Sequence, residues 1–185
     1  MDLCSSWTSH YPIGWKRKRC VALGLNPLEL LANPSKTEFC VQDLNKNPTL
    51  PFEDASFDCV TNALSVDYLT QPLEVFAEMY RVLRPGGLAC MAFTNRCFPT
   101  VRRKTTGLPA RARKPASRTP PDMCPTWSQK VVPIWTRPFT EAHHAQIVGS
   151  YFRYSADWSE IGVADVSPDG WVGQRDPMVV VIGRK

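Results

Sequence analysis

The sequence lacks any apolar run close to the roughly 20 residues that a helix needs to cross a bilayer, although 43% of its 185 residues are hydrophobic. Basic residues are also missing directly after Met1, where a secretory signal would place them and where this chain has Asp2. We therefore expect a soluble, intracellular protein located in the cytoplasm.

Cysteine pairs at metal-binding or redox spacing are absent as well. The seven cysteines are an odd number at irregular intervals, and none forms a C-x-x-C pair. Several stand beside apolar strand residues, where a thiol packs as a small hydrophobe. This pattern predicts reduced structural thiols in a reducing compartment and no metal site.

Positive charge is plentiful overall but scarce outside one segment. The formal net charge is +5, and residues 101–129 hold seven basic side chains against one acid. The rest of the chain carries 15 basic and 16 acidic side chains and is nearly neutral. Trp127 is the only aromatic residue in the basic segment, so stacking platforms for nucleic acid are scarce there and we do not expect nucleic-acid binding.

Residues 101–129 also differ from their surroundings in composition. They hold five of the 17 prolines and few aliphatic side chains, so they cannot bury enough apolar surface to offset the entropy of ordering them. We predict a disordered basic insertion in a single domain formed by residues 1–100 and 130–185. Val101 has codons that begin GT and Gln129 has a codon that ends AG, so the insertion is consistent with an in-frame retained intron, which transcript sequencing would test.

Outside the insertion, strand and helix patterns alternate. Apolar runs predict strands over residues 20–25, 38–44, 57–64, 88–94 and 178–182. Helical spacing predicts a short helix at 28–31, a strong helix at 72–83 that ends in an R-P-G-G turn, and a helix at 140–151. Residues 151–154 and 161–166 fit either type. This order favours an α/β fold with a mostly parallel sheet and helices on both faces.

The order of short motifs resembles the type 11 group of class I S-adenosylmethionine-dependent methyltransferases. The strongest similarity spans residues 43–94, with L-P-F-x-D-x-S-F-D at 50–58 and R-V-L-x-P-G-G at 81–87. The resemblance implies a Rossmann-like sheet whose first strand is truncated, S-adenosyl-L-methionine as cofactor, and methyl transfer to a small-molecule acceptor. It assigns no catalytic residue.

The resemblance also implies where the cofactor binds, at the ends of four neighbouring strands. The implied contacts are Asp2, Cys4, Ser5, Ser6, Gly24, Leu25, Asn26, Asp43, Leu44, Asn62, Ala63 and Leu64. The loop at 2–6 would wrap the methionine end, Asp43 would accept from the adenine amino group, and residues 62–64 would line the methionine moiety.

Two features depart from the family pattern. Cys4 and Ser6 replace the glycines of the usual D-x-G-x-G loop, and Gly24 stands where an acid usually binds both ribose hydroxyls. A carboxylate accepts two hydroxyl donors whereas glycine offers only backbone, so Asn26 is the nearest substitute.

Several candidate residues have a simpler structural explanation. Asp43 could be a turn residue after a strand, and Asn62 could cap a strand end. Asp67 and Tyr68 fit the acceptor side or a helix start. Residues 93–95 border the acceptor side by analogy.

His143 and His144 are candidate bases, but adjacent helical residues point about 100° apart, so both cannot serve one site. Two other functions stay open for the whole chain. It could be a degenerate methyltransferase fold that binds a polyanion through residues 101–129, or an inactive truncated product. Cofactor titration distinguishes these functions from an active enzyme.

Overall fold

The computed structural model describes residues 1–12, 14–15, 18–94, 132–136, 139–167 and 177–185. Within these ranges the chain forms one seven-stranded sheet in the order β3-β2-β1-β4-β5-β7-β6. The strands are β1 (Asp2–Leu3), β2 (Val21–Gly24), β3 (Glu38–Val41), β4 (Phe57–Ala63), β5 (Leu83–Phe93), β6 (Glu160–Asp165) and β7 (Val179–Arg184). The first five are parallel, and β7 is antiparallel to both of its neighbours.

Three α-helices accompany the sheet in the described ranges: α1 (Pro27–Ala32), α2 (Pro72–Val82) and α3 (Glu141–Ser155). Short 3-10 helices occur at Val66–Tyr68 and Pro133–Thr136. The predicted α/β class with a mostly parallel sheet is confirmed. Residues 151–154, which fitted either type, belong to α3, and residues 161–166 largely form β6.

The strand order reverses at β1, which pairs with β2 on one side and β4 on the other. In open parallel sheets such a switch point leaves a crevice beyond the carboxyl ends of the strands, where ligands bind. Strand β1 comprises Asp2–Leu3.

Helices α2 and α3 pack together on one face of the sheet. Phe76 of α2 meets Phe152 of α3 edge to face, with ring centroids 4.7 Å apart. Phe152 in turn lies over Gly183 of β7, on the face that also carries the fully buried Met91. On the opposite face of β4 and β5, Cys59 and Cys90 are only half-buried. The main core therefore lies between the sheet and these two helices.

The R-P-G-G turn lies where the sequence predicted it, and Gly86 has the expected positive φ of 78°. The strand nevertheless begins at Leu83 rather than Leu88. Leu83 pairs with Phe57 before the turn, and the Gly86 amide donates to the Lys185 carbonyl oxygen at 2.9 Å. Strand pairing thus continues through the turn, which lies at the amino end of the sheet.

The predicted insertion at 101–129 lies outside the described residues. The five cysteines within the described ranges are free thiols. No cluster of metal-binding side chains occurs among the residues that the structure describes. In that same part of the chain, no helix has both the length and the apolar character needed to span a bilayer.

Candidate functional site

The carboxyl ends of β1, β2 and β3 lie side by side. The Ser5 amide donates to the Leu23 carbonyl oxygen at 2.8 Å, and the Gln42 amide donates to the Gly24 carbonyl oxygen at 2.9 Å. These two bonds continue the pairing two residues beyond β1 and one residue beyond β3. The segments 2–6, 24–26 and 42–44, which the sequence placed in one pocket, therefore meet at one edge.

The loop after β1 approaches the end of β2 unusually closely. A Cβ atom built on Gly24 would lie 2.3 Å from the Ser5 carbonyl oxygen and 3.2 Å from Leu30 Cδ2. Cys4, just before this contact, has a φ of +54°, in the left-handed region where glycine is unstrained. Gly24 thus has a steric role, and the carboxylate expected at its position could not be added without moving the loop.

Asp2 anchors this loop from beneath. Its buried carboxylate accepts from the hydroxyls of Ser5 and Ser9, both at 2.6 Å, and from Thr61 Oγ1 at 3.1 Å. Asn33 Nδ2 adds a donor to Ser5 Oγ at 3.2 Å. Because its carboxylate already accepts three hydroxyls, Asp2 positions the loop, and the loop backbone is the part left to contact a ligand.

A second polar cluster ties the same loop to α1, and its central residue, Glu29, was missed from the sequence. The Glu29 carboxylate is buried and accepts from Ser6 Oγ at 2.5 Å and from Asn26 Nδ2 at 2.9 Å. Asn26 Oδ1 caps α1 by accepting from the Leu28 amide at 3.0 Å. Both ends of the Asn26 amide are therefore engaged within the protein. An acid three residues after an N-terminal Asn is a capping pattern that could have identified Glu29.

Asp43 lies just beyond β3 and is about a quarter exposed. Its Oδ1 accepts from the Asn45 amide at 3.0 Å, while its Oδ2 is 3.7 Å from the exposed Lys46 ammonium. The first contact is that of a turn residue. The second leaves Oδ2 loosely held, so Asp43 can be a turn residue and still accept from a ligand. Leu44 beside it is buried.

Asn62 near the end of β4 has a buried polar atom without a partner. Its side chain is 1% exposed, Nδ2 donates to the Leu3 carbonyl oxygen at 3.2 Å, and Oδ1 has no hydrogen bond. Asn62 also contacts Cys4, whose pKa is raised to about 12, chiefly by burial. A buried acceptor left unpaired costs about 1–3 kcal/mol, so this atom suits a ligand that brings a hydrogen-bond donor.

Leu64, which follows β4, adopts a φ of +57°, and its amide donates to the Ala92 carbonyl oxygen at 2.8 Å. The Ala63 carbonyl oxygen accepts from Ser65 Oγ at 3.2 Å. Residues 62–64 thus turn sharply at the same edge of the sheet as the β1 loop. Leu25, at the tip of β2, is exposed.

The edge beyond β4 and β5 carries a different set of groups. Asp67 lies in the 3-10 helix Val66–Tyr68, and burial raises the pKa of its carboxyl to about 6. Phe93 packs edge to face on Trp135 at 5.6 Å, and Trp135 stacks on the buried His144 at 4.8 Å. Thr94 follows Phe93 directly, and Asn95 lies outside the described residues. Trp135 was not identified from the sequence, because its contact with Phe93 joins distant parts of the chain.

The two adjacent histidines have different environments, as the helical geometry required. His143 is exposed and bonds through Nδ1 to Thr140, the residue that caps α3. His144 points inward, and burial lowers the pKa of its imidazole. Only His144 faces the interior, as a neutral ring near pH 7.

A cavity of about 460 Å³ opens at the opposite edge of the sheet, lined among others by Met1, Cys20, Phe57 and Arg84. These residues stand at the amino ends of their strands. Ligands of parallel α/β sheets bind beyond the carboxyl ends, so this cavity is not assigned to the same site.

The fold agrees with comparisons to known proteins. Residues 12–91 match the family described as "Methyltransferase domain". An S-adenosylmethionine-dependent methyltransferase from Mesorhizobium loti superposes with a TM-score of 0.56 at 16% identity, covering 100% of this chain and 89% of that one. The chain thus has the fold of class I methyltransferases, and residues 12–91 resemble that family in sequence. Gly24 and Cys4 are departures from the pattern of the family that the chain resembles.

Curated methyltransferases share shorter segments with this chain. A demethylmenaquinone methyltransferase of Clavibacter sepedonicus is 36% identical over 74 residues, which are 40% of this chain and 29% of that protein. A malonyl-[acyl-carrier protein] O-methyltransferase of Marinomonas sp. is 45% identical over 38 residues, or 20% of this chain and 14% of that protein. The alignments thus span less than a third of these relatives.

Proposed function

We propose that this chain is a class I methyltransferase that binds S-adenosyl-L-methionine across the ends of β1, β2 and β3 and transfers its methyl group to a small molecule. The observation that carries the proposal is the pair of bonds from Ser5 to Leu23 and from Gln42 to Gly24, which brings the three strand ends together. The cofactor supplies a methyl group already activated on a sulfonium. The protein therefore needs to align an acceptor with that carbon and to exclude water.

The methionine end fits the groups around β1 and β4. Asn62 Oδ1 is a buried acceptor without a partner, which suits an ammonium group. The loop backbone at residues 4–6, fixed by Asp2 and Glu29, allows close approach because Cys4 adopts a glycine-like conformation. These residues would bind and orient this end.

The adenine end fits Asp43, whose loosely held Oδ2 can accept from an exocyclic amino group beside the buried Leu44. The ribose has less support. Gly24 provides no side chain, and both ends of the Asn26 amide are engaged in capping α1 and binding Glu29. We therefore expect cofactor affinity weaker than a ribose-binding carboxylate would give.

We further propose that the acceptor is a neutral aromatic or quinone-like molecule. Phe93, Trp135 and His144 form a buried aromatic cluster beside the end of β5. Burial lowers the pKa of His144, and Asp67 lies on the β4 side. These four side chains include no cation to pair with a carboxylate substrate. This favours the chemistry named for the demethylmenaquinone relative over that of the malonyl relative.

Isothermal titration with S-adenosyl-L-methionine tests cofactor binding on the chain as it stands. In Asp43→Asn, the amide keeps an oxygen for the Asn45 turn but places an NH₂ where the adenine amino group must donate. Loss of one such bond, about 1.5 kcal/mol, lowers affinity about tenfold. Lys46→Met removes the 3.7 Å ion pair and leaves the acceptor in place, so its affinity should match the wild type.

No heat with wild-type protein would refute the enzymatic function and favour a degenerate binding module. Equal losses in both variants would refute the role of Asp43. Transfer of labelled methyl to a demethylated naphthoquinone, and not to a malonyl thioester, would support the proposed acceptor class. The reverse preference would overturn it.

A further inference from the structure

A pair of thiols lies on the half-buried face of β4 and β5, before the strand ends that form the proposed cofactor site. Cys59 pairs in register with Leu88, and Thr61 pairs with Cys90, so Cys59 and Cys90 are diagonal neighbours on adjacent strands. Alternate residues of a strand share a face, and both cysteines lie on the side away from α2 and α3. This register brings the two side chains next to each other on one face of the sheet.

Cys59 is reachable from solvent. It lines the open cavity of about 460 Å³ at the amino edge of the sheet, together with Met1, Cys20 and Arg84. Cys90 is half-buried beside it. Cys20 is buried, and its thiol donates to the Tyr11 hydroxyl at 3.3 Å. A small reagent in the cavity therefore meets Cys59 in preference to Cys20.

The electrostatics of the pair favour a thiolate on Cys59. A hydrogen bond from Cys90 lowers the pKa of Cys59 to about 7, and the Met1 ammonium adds to this, while burial and Asp58 oppose it. The same contact raises the pKa of Cys90. Asp58 is itself paired with Arg84 at 2.5 Å, which offsets its charge. One thiol of the pair is thus the nucleophile and the other a proton donor.

We propose that Cys59 and Cys90 form an oxidation-sensitive dithiol, in which Cys59 reacts first with a hydroperoxide and Cys90 resolves the product to a disulfide. The Cys59 thiolate attacks one oxygen of hydrogen peroxide, so that an S–O bond forms, the O–O bond breaks and Cys59 becomes a sulfenic acid. The hydroxide that leaves takes up a proton and becomes water. The Cys90 sulfur then attacks the sulfenic sulfur, forming the S–S bond and releasing a second water with the Cys90 proton. Two thiols are oxidised and one hydrogen peroxide is reduced.

Site-resolved alkylation tests the first half of the proposal on the reduced wild-type chain with Met1 as its free N-terminus. Iodoacetamide labelling, quantified by peptide mass spectrometry from pH 5.5 to 9, should give Cys59 a midpoint near pH 7. Cys40 on β3 is the internal comparison, because burial raises the pKa of its thiol. At pH 7 a larger fraction of Cys59 than of Cys40 is thiolate, which speeds its alkylation, while the lower nucleophilicity of that thiolate slows it. Together these effects should make Cys59 react about fivefold faster than Cys40, or more.

Treatment with one equivalent of hydrogen peroxide tests the second half. Non-reducing peptide mapping should find Cys59 joined to Cys90, and dithiothreitol should reverse the link. In Cys90→Ser a dimedone adduct should accumulate on Cys59 instead. Cys40→Ser is the matched control and should still form the link.

Labelling of Cys59 no faster than Cys40 in the wild type would overturn the proposal without relying on any variant. So would peroxide products confined to other cysteines. These outcomes are read on the cysteines themselves and do not depend on methyl transfer, since neither thiol is among the proposed cofactor contacts.

Discussion

Gly24 provides the sharpest test of how the candidate site is built. Replacing it with alanine adds one methyl group 2.3 Å from the Ser5 carbonyl oxygen, a backbone atom that cannot rotate away. The loop must move, which weakens the 2.8 Å bond from the Ser5 amide to Leu23 and the Ser5–Asp2 contact. Overpacking of this kind costs about 1–3 kcal/mol.

Urea unfolding followed by circular dichroism measures this cost as a lower midpoint. Gly149→Ala is a matched control, because Gly149 lies inside α3 and a Cβ there would meet nothing within 4 Å. Alanine in a helix interior should stabilise by about 0.5–1 kcal/mol. The two variants should therefore shift the midpoint in opposite directions.

If Gly24→Ala is as stable as the wild type, the close packing of the β1 loop on β2 is refuted. The steric explanation for the missing ribose acid would then fail too. A higher urea midpoint in both variants would show that glycine differs from alanine at these two positions only in backbone entropy.

Three further variants test other parts of the structure. Asp67→Asn should raise stability at pH 7 by on the order of 2 kcal/mol. Burial raises the pKa of Asp67 in the folded protein to about 6, so the free energy of unfolding of the wild type should fall as the pH rises from about 4 to 6. Guanidinium titrations across that range should show this fall in the wild type and not in the variant. Ala55→Gly should stabilise by about 0.5–1 kcal/mol, because exposed Ala55 has a φ of +52° and the relief of about 1–2 kcal/mol of left-handed strain exceeds glycine's entropic cost of about 0.5–1 kcal/mol. Glycine at exposed Ala142 in α3 should destabilise instead, and equal signs in thermal melts would argue against the left-handed conformation. Asp2→Ala should cost about 2–4 kcal/mol in the same melts by leaving buried hydroxyls unpaired, and a loss below about 0.5 kcal/mol would contradict the anchoring role.

The strand ends could be predicted from the sequence because they depend on local patterns. Alternating apolar runs and the R-P-G-G turn identify the parallel strands, and parallel strands bring their carboxyl ends to one edge. The assignment of the β1 loop, Asp43 and Asn62 to that edge came from the resemblance to methyltransferases, because the local patterns predict no strand before residue 20.

Other parts of the site depend on contacts between distant residues and could not be predicted in this way. The need for glycine at position 24 comes from the Ser5 carbonyl oxygen, 19 residues earlier in the chain. The stack of Trp135 on His144 and its contact with Phe93 join β5 to α3 across residues outside the described ranges. The start of β5 at Leu83 was missed because Lys185 at the far end of the chain continues the pairing through the turn.

The most direct test of the account is hydrogen–deuterium exchange with and without S-adenosyl-L-methionine. We predict slower exchange on cofactor binding at residues 4–6, 24–26 and 42–44, with no change at 56–59 and 83–87 on the opposite edge. Protection confined to that opposite edge, or no protection at any of the three strand ends at saturating cofactor, would contradict the proposed site.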